Sequence, residues 1–371
     1  MKKCIEHKLD TISEIWSHFI WEYDFCKRTI KFTDEVKTNY LADILAYFKD
    51  TVLIIFDKKE SSSYSDTFSN HISFLQSIYV QQDFIDELLT IFKCGITKGH
   101  LKRDENYSLN RGIRNELVGH PIRRTLERHL ISSCLYGYNS NENKISYLLY
   151  HKNKDFSFEI REYLISDIIL RHYNFLNTYL DKVITKLKQI LRNYNKELNN
   201  FKTLIERKAF DVVLKNTSRL YESIFKSDFI YDKASLEIVY NRKDEHNRYQ
   251  NLINLFYLDL GNGISETIDH IQSLIKPNTI EEDQLIESEY IDDLDESPED
   301  RNLPISCQYE LGKIATNRDI LNFNFFANSL RTKCANNQIV ISELKHMENN
   351  LNNDIEYYTA YKLIYTELNK H

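Results

Sequence analysis

Glycine and proline are scarce in this chain, with 8 and 4 in 371 residues. A many-turned β-sandwich or a glycine-looped nucleotide fold needs such residues at every tight turn. Their scarcity therefore predicts long uninterrupted helices and a mainly α fold. With 42% hydrophobic residues, 25 Tyr and 20 Phe, the chain can bury a sizeable core. Its length admits two domains at roughly 100–200 residues each.

Apolar spacing fills in the elements. Over residues 9–30, Ile12, Ile15, Trp16, Phe19, Ile20 and Tyr23 share a helix face, and Leu41, Ile44, Leu45, Phe48, Val52 and Ile55 repeat the pattern over 35–57. A third helix is expected from about Ser69 to Phe92. After a basic loop, Ser108 is expected to cap a fourth, with Leu109, Ile113 and Leu117 inward. Beyond Pro121 the runs 130–136, 145–150 and 156–160 are rich in β-formers, which predicts a small three-stranded antiparallel β-meander over about 129–160.

Helix is expected again from Glu162. Leu176, Leu180, Val183, Leu187, Ile190, Tyr194, Leu198, Phe201 and Ile205 form a coiled-coil-like seam, and Gly261-Asn262-Gly263 is expected to break the chain after Leu260. The expected organisation is a helical bundle with its meander over 1–160 and a helical, partly coiled-coil-like region over 161–275. An acidic linker over 276–304 and a helical segment over 305–371 follow.

The net charge is −7, but its distribution matters more. Between Pro277 and Asp300 lie eleven acidic residues and no basic one, and taking those eleven charges from −7 leaves +4 for the remainder. A polyanionic substrate is therefore not excluded. Six scattered cysteines lack zinc or CxxC spacing and read as reduced thiols. The N-terminus has no apolar signal core and no apolar stretch reaches the ~18 residues of a membrane span, so no membrane partner is expected and the cytoplasm is the expected compartment.

One segment carries chemistry: Gly112-Ile113-Arg114-Asn115-Glu116-Leu117-Val118-Gly119-His120-Pro121. Cleaving RNA through its own 2′-hydroxyl needs a proton acceptor for that hydroxyl, a donor for the leaving oxygen and positive charge at phosphorus. Histidine side chains ionise near ~6.5 and suit either proton role. An arginine fork matches phosphate oxygens, and an amide can orient either partner. Neither a metal nor another cofactor is called for. On an ideal helix at ~100° per residue, positions six apart diverge by ~240°, so Arg114 and His120 would not share a face. Pro121 disfavours helix at His120, which lets the imidazole swing back; a two-fold dimer joining two motifs in one cleft is the other route. From Lys98 to Leu130 there are eight Lys/Arg against four Asp/Glu. Lys102, Arg103, Arg111, Arg123 and Arg124 are the candidate RNA-backbone contacts.

At these residues the chain resembles the HEPN superfamily, whose signature is Arg, a polar residue, and His after a gap of four to six. Here the gap runs from Asn115 to Gly119. The preceding Tyr79-Val80-Gln81-Gln82-Asp83 and the following Gly119-His120-Pro121 are similar to a bacterial subset of that superfamily, in which a β-meander follows the motif. The resemblance spans roughly residues 1–160. It implies a helical bundle, a homodimer with a composite site, and metal-independent endoribonuclease activity through Arg114, Asn115 and His120. It also implies a toxin or phage-defence role, with any antitoxin or defence partner separately encoded. The rival reading keeps the fold without the chemistry, as a module that binds RNA, a nucleotide or a protein. Glu116 reads as a solvated helix residue.

Overall fold

The computed structural model describes residues 1–30, 39–57, 63–97, 99–135, 141–205, 207–220, 232–276 and 305–369. The described chain is mainly helical with one small antiparallel sheet. It divides into two compact units, Met1–Tyr194 and Asn195–His371. The expected acidic linker falls, from Pro277 to Pro304, outside the described residues.

The first unit opens with α1 (Lys2–Ile15), which buries Ile5, Leu9, Ile12 and Ile15 and runs into a π turn at Trp16–Ile20. After the short α2 (Asp24–Lys27) come α3 (Tyr40–Phe56) and the long α4 (Tyr64–Ile91). The side chain of Ser63 caps α4 by accepting from the Asp66 N–H. The next helix, α5 (Glu105–Arg114), is capped by Asp104, whose carboxylate accepts from the Asn106 and Tyr107 N–H groups. The Ser108 cap is thereby corrected: a carboxylate four residues earlier satisfies the helix's free donors and also opposes its dipole. Leu109, expected inward, is 45% exposed.

The sheet has four strands, not three: β1 (Ile122–Arg124), β2 (Leu130–Leu135), β3 (Lys144–Tyr150) and β4 (Phe158–Leu164), in the order β1-β2-β3-β4. The sequence Ile122-Arg123-Arg124 has no alternation to betray β1. It exists because β2 pairs with it, Ile122 facing Ser132 and the Ser133 N–H donating to the Pro121 carbonyl at 2.7 Å. Pairing to β3 also holds β4 extended through Leu164, past the expected helix start at Glu162.

One sheet face packs on the helices. Ile145, Tyr147 and Leu149 join Ile55, Phe74, Leu75, Ile78, Ile113, Leu117 and Ile168 in a core cluster. Full burial of each such side chain contributes about 1.5–3 kcal/mol before chain entropy is set against it. A single helix, α6 (Ile165–Ile205), carries the expected seam. Leu176, Leu180, Val183, Leu187 and Tyr194 are buried within the chain; Tyr194 packs against Tyr23 and Phe25 at 5.0 and 5.5 Å between ring centres. That stripe is thus used internally.

The second unit contains the end of α6, α7 (Phe210–Leu220), α8 (Lys233–Asn241) and α9 (Asn247–Ile275), then α10 (Ile305–Thr316), α11 (Ile320–Lys333), α12 (Gln338–Asn349) and α13 (Asp354–Leu368). The expected break at Gly261-Asn262-Gly263 does not occur, because α9 runs through it. Two glycines cost a helix roughly 1 kcal/mol each, which burial of Leu260, Ile264, Ile268 and Ile271 outweighs. Leu311, Ile314, Phe323, Leu330, Leu344, Met347, Tyr357 and Ile364 form this unit's core.

Candidate functional site

The site is built where α4 lies against α5. Gln76, Tyr79 and Asp83 sit three and four residues apart on α4, so they fall on one face. Arg111 and Arg114, three apart on α5, meet that face. The Arg111 guanidinium lies over the Tyr79 ring at 3.5 Å and bonds Asp83 at 2.8 Å. The Arg114 guanidinium lies over the same ring at 3.7 Å. Its Nε and Nη2 donate to Gln76 Oε1 at 3.2 and 3.0 Å, and its Nη1 donates to Asn115 Oδ1 at 3.2 Å. Three of five guanidinium N–H groups are so engaged, leaving two for a ligand among the described contacts.

Buried side chains of α4 fix this face in place. Gln81 Nε2 donates to Thr51 Oγ1 at 2.9 Å, and Gln81 Oε1 lies 2.8 Å from His172 Nε2. Gln82 Nε2 donates to the Tyr107 carbonyl at 3.1 Å. Burial pushes His172 down to about 3, so it is a neutral donor to Gln81. Asn110 performs the same task for α5, donating to the Ile168 carbonyl and accepting from Arg171.

Beyond Arg114 the helix widens into a π turn, Asn115–Gly119, closed by the His120 N–H donating to the Asn115 carbonyl at 2.7 Å. In a π turn residues five apart align, where an α-helix aligns three and four apart. Gly119 therefore comes over Arg114. A Cβ at Gly119 would lie 2.6 Å from Arg114 Nη1 and 3.4 Å from Asn115 Oδ1, so glycine makes the room that the guanidinium occupies. The turn is held from both sides. Leu117 enters the core. The Glu116 carboxylate accepts from Tyr147 Oη at 2.5 Å and from Arg123 at 3.0 Å. Burial and that carboxylate both push the Tyr147 hydroxyl up, keeping it a donor. His120 ends the turn with a non-helical backbone (φ −140°, ψ 61°) and an exposed side chain.

One turn thus collects Arg114, Asn115 and His120. The other candidates divide. Arg111 is committed to Asp83, and Arg123 to Glu116 and the His120 carbonyl. Lys102 and Arg103 lie exposed on a 3-10 turn before α5, and Arg124 is exposed on β1. Glu116 is half-buried and anchors the turn. Gln76 escapes sequence reasoning; its three-residue spacing from Tyr79 is the signal that finds it. Among the described residues no group of three or more His, Cys, Asp or Glu side chains is placed to hold a metal ion, and no helix is long and apolar enough to cross a membrane. No family model, no curated protein and no solved structure matches the chain.

Proposed function

We propose that the chain is a metal-independent endoribonuclease of HEPN type whose site is Arg114, Asn115 and His120. The supporting observation is that Gln76, Tyr79 and Asn115 hold the Arg114 guanidinium over Gly119, one residue from an exposed histidine. In the reaction the RNA 2′-hydroxyl attacks the adjacent phosphorus as the bond to the 5′-oxygen breaks. The products are a 2′,3′-cyclic phosphate and a 5′-hydroxyl. The two open N–H groups of Arg114 meet the charge gathering on the non-bridging oxygens. His120 takes the proton of the 2′-hydroxyl or gives one to the leaving oxygen. One imidazole does not do both in one step, and the reading assigns the second role to a second copy of the chain in a two-fold dimer. A toxin or phage-defence setting, with a separately encoded partner, belongs to this reading.

Purified protein is expected to cleave single-stranded RNA in EDTA and to leave cyclic phosphate ends. His120→Ala and Arg114→Ala are each expected to slow cleavage by about 10²–10⁴-fold with the melting temperature unchanged. Strict dependence on added Mg²⁺, or full activity in both variants, would overturn the reading. RNA binding without cleavage in the wild type would favour the non-catalytic module instead.

A further inference from the structure

A sheet that covers a core on one side ordinarily turns polar residues to water on the other. This one does not. On its outer face the register sets Ile122, Ser132, Tyr150 and Phe158 in one row across all four strands. Ile122 is 73% exposed and Phe158 is 65% exposed. Tyr150 gathers two phenylalanines, Phe158 at 5.4 Å and Phe156 at 5.7 Å between ring centres. Phe156 lies in the β3–β4 connection with φ +57°, a left-handed conformation unfavourable for a bulky residue, and follows Asp155 at φ +52°. The ring that this backbone displays is 43% exposed. Strained backbone presenting an aromatic ring to solvent is a feature of ligand sites.

The charge around this corner is positive. Arg124 pairs with Leu130 at the far end of the β1–β2 ladder, and the next connection, after Tyr150, brings Lys152 and Lys154 to the same end of the sheet. With Arg128 they make four exposed cations against the carboxylates of Glu127 and Asp155. At the other edge of the sheet, Pro121 links the first row directly to His120. Three strand spacings of ~4.8 Å put Phe158 about 14 Å across the face from Ile122.

We propose that Tyr150, Phe156 and Phe158 form a base-stacking platform for single-stranded RNA, with Arg124, Lys152 and Lys154 on its phosphates, which leads the strand to His120. The proposal rests on the ribonuclease reading for its ligand. Unpaired bases stack on aromatic faces whatever their sequence, while a basic rim follows the backbone. A second copy seated face to face would instead set the same cations against each other, so the charge favours a polyanion as the occupant.

The test separates binding from cleavage. Anisotropy of a fluorescein-labelled ten-nucleotide oligo-U is titrated with full-length protein carrying His120→Ala. Adding Phe158→Ala or Phe156→Ala is expected to weaken binding about tenfold each, in the range of single base-stacking losses. Phe158→Trp is expected to keep the affinity. A duplex of the same length is expected to bind more weakly, since its bases are already stacked. Both phenylalanines are solvent-exposed, and a circular-dichroism melt checks that the variants fold. Unchanged affinity in both alanine variants, equal affinity for duplex, or no RNA binding at all would overturn the platform. So would light scattering in which Phe158→Ala turns a dimer into a monomer while RNA affinity holds, since the face would then belong to a second copy. Cleavage by otherwise wild-type protein reports on the site separately. RNA that is bound through the phenylalanines but never cut would sink the ribonuclease reading and leave the platform standing.

Discussion

The two units treat their polar side chains differently. In the first, His71 and His172 are buried, each with an Nδ1 that finds no partner among the described residues. Gln81, Gln82 and Asn110 lie in the same interior. In the second, His346 and His246 are half-exposed and share one carboxylate, Glu356, at 2.8 and 3.5 Å, with Tyr249 Oη donating to it at 2.5 Å. Arg248–Glu343 and Lys333–Glu310 repeat the pattern of ion pairs around an apolar core. A buried amide network costs stability wherever a bond is missed but admits few alternative packings. It fixes α4 against α3 and α6, and α4 carries the side chains that hold Arg114. The first unit buries neutral amides and imidazoles, which position α4; the second buries carboxylates, Glu310, Glu343 and Glu356, and answers them with partly exposed cations and histidines.

Four experiments sharpen or break that contrast, and the largest effect is expected at the π turn. Gly119→Ala would push a Cβ into Arg114 Nη1, the far end of a flexible side chain, so the fold survives while the guanidinium moves. Cleavage is expected to fall about 10²-fold with no change in melting temperature. Wild-type cleavage in this variant would mean that the guanidinium's place does not matter.

Next comes the amide network. Gln81→Leu strands a buried His172 N–H and is expected to cost about 1–3 kcal/mol. Hydrogen exchange should show lost protection in peptides from residues 1–194 and none from 195–371. A loss shared equally by both would break the contrast.

The units should also part company on acidification. Burial holds His172 down at about 3, and burial lowers His71 despite its bond to the Asn141 carbonyl. Below the unfolded value of ~6.5 the unfolded chain takes up protons that the native interior refuses. Stability of the first unit therefore falls with falling pH, by about 1.4 kcal/mol per unit for His172 alone down to its folded value. Burial pushes Glu356 up, but hydrogen bonds from Tyr249, His346 and His246 outweigh it and hold the carboxyl below its usual range. That contribution is present above the unfolded value of ~4.3 and is lost only as pH drops below it. Exchange at pH 5 should thus loosen the first unit before the second, and the reverse order would refute the assignment.

The smallest effect is expected at Tyr79. Tyr79→Leu removes a ring shared by two guanidinium groups, worth about 1 kcal/mol, and cleavage should drop about fivefold. A loss as large as that of Arg114→Ala would show that the ring does more than steady the arginines.

Much of this was legible from the chain itself. Apolar spacing is local, and burial along one side of a helix needs no knowledge of the partner, so α3 and α4 stood close to where the pattern put them and α6 carries the expected seam, whereas the helix expected over 9–30 instead starts at Lys2 and gives way to a π turn at Trp16–Ile20. The motif's residue types also stood in plain view, since an arginine, an amide and an imidazole within seven positions are chemistry written in order. The π turn, β1, the unbroken α9 and the split duties of the basic residues were not legible. Each depends on residues distant in sequence: Glu116 on Tyr147 thirty-one positions away, Arg114 on Gln76 thirty-eight away, and Arg111 on Asp83 twenty-eight away. The sequence by itself thus determined which groups are available and which stripes must be buried, because those follow from side-chain chemistry and helical repeat. Only the tertiary structure decided that Arg114 sits over Gly119 beside His120. One extra residue in a turn is a small local cost, and it is set by where Leu117 and Glu116 find their partners.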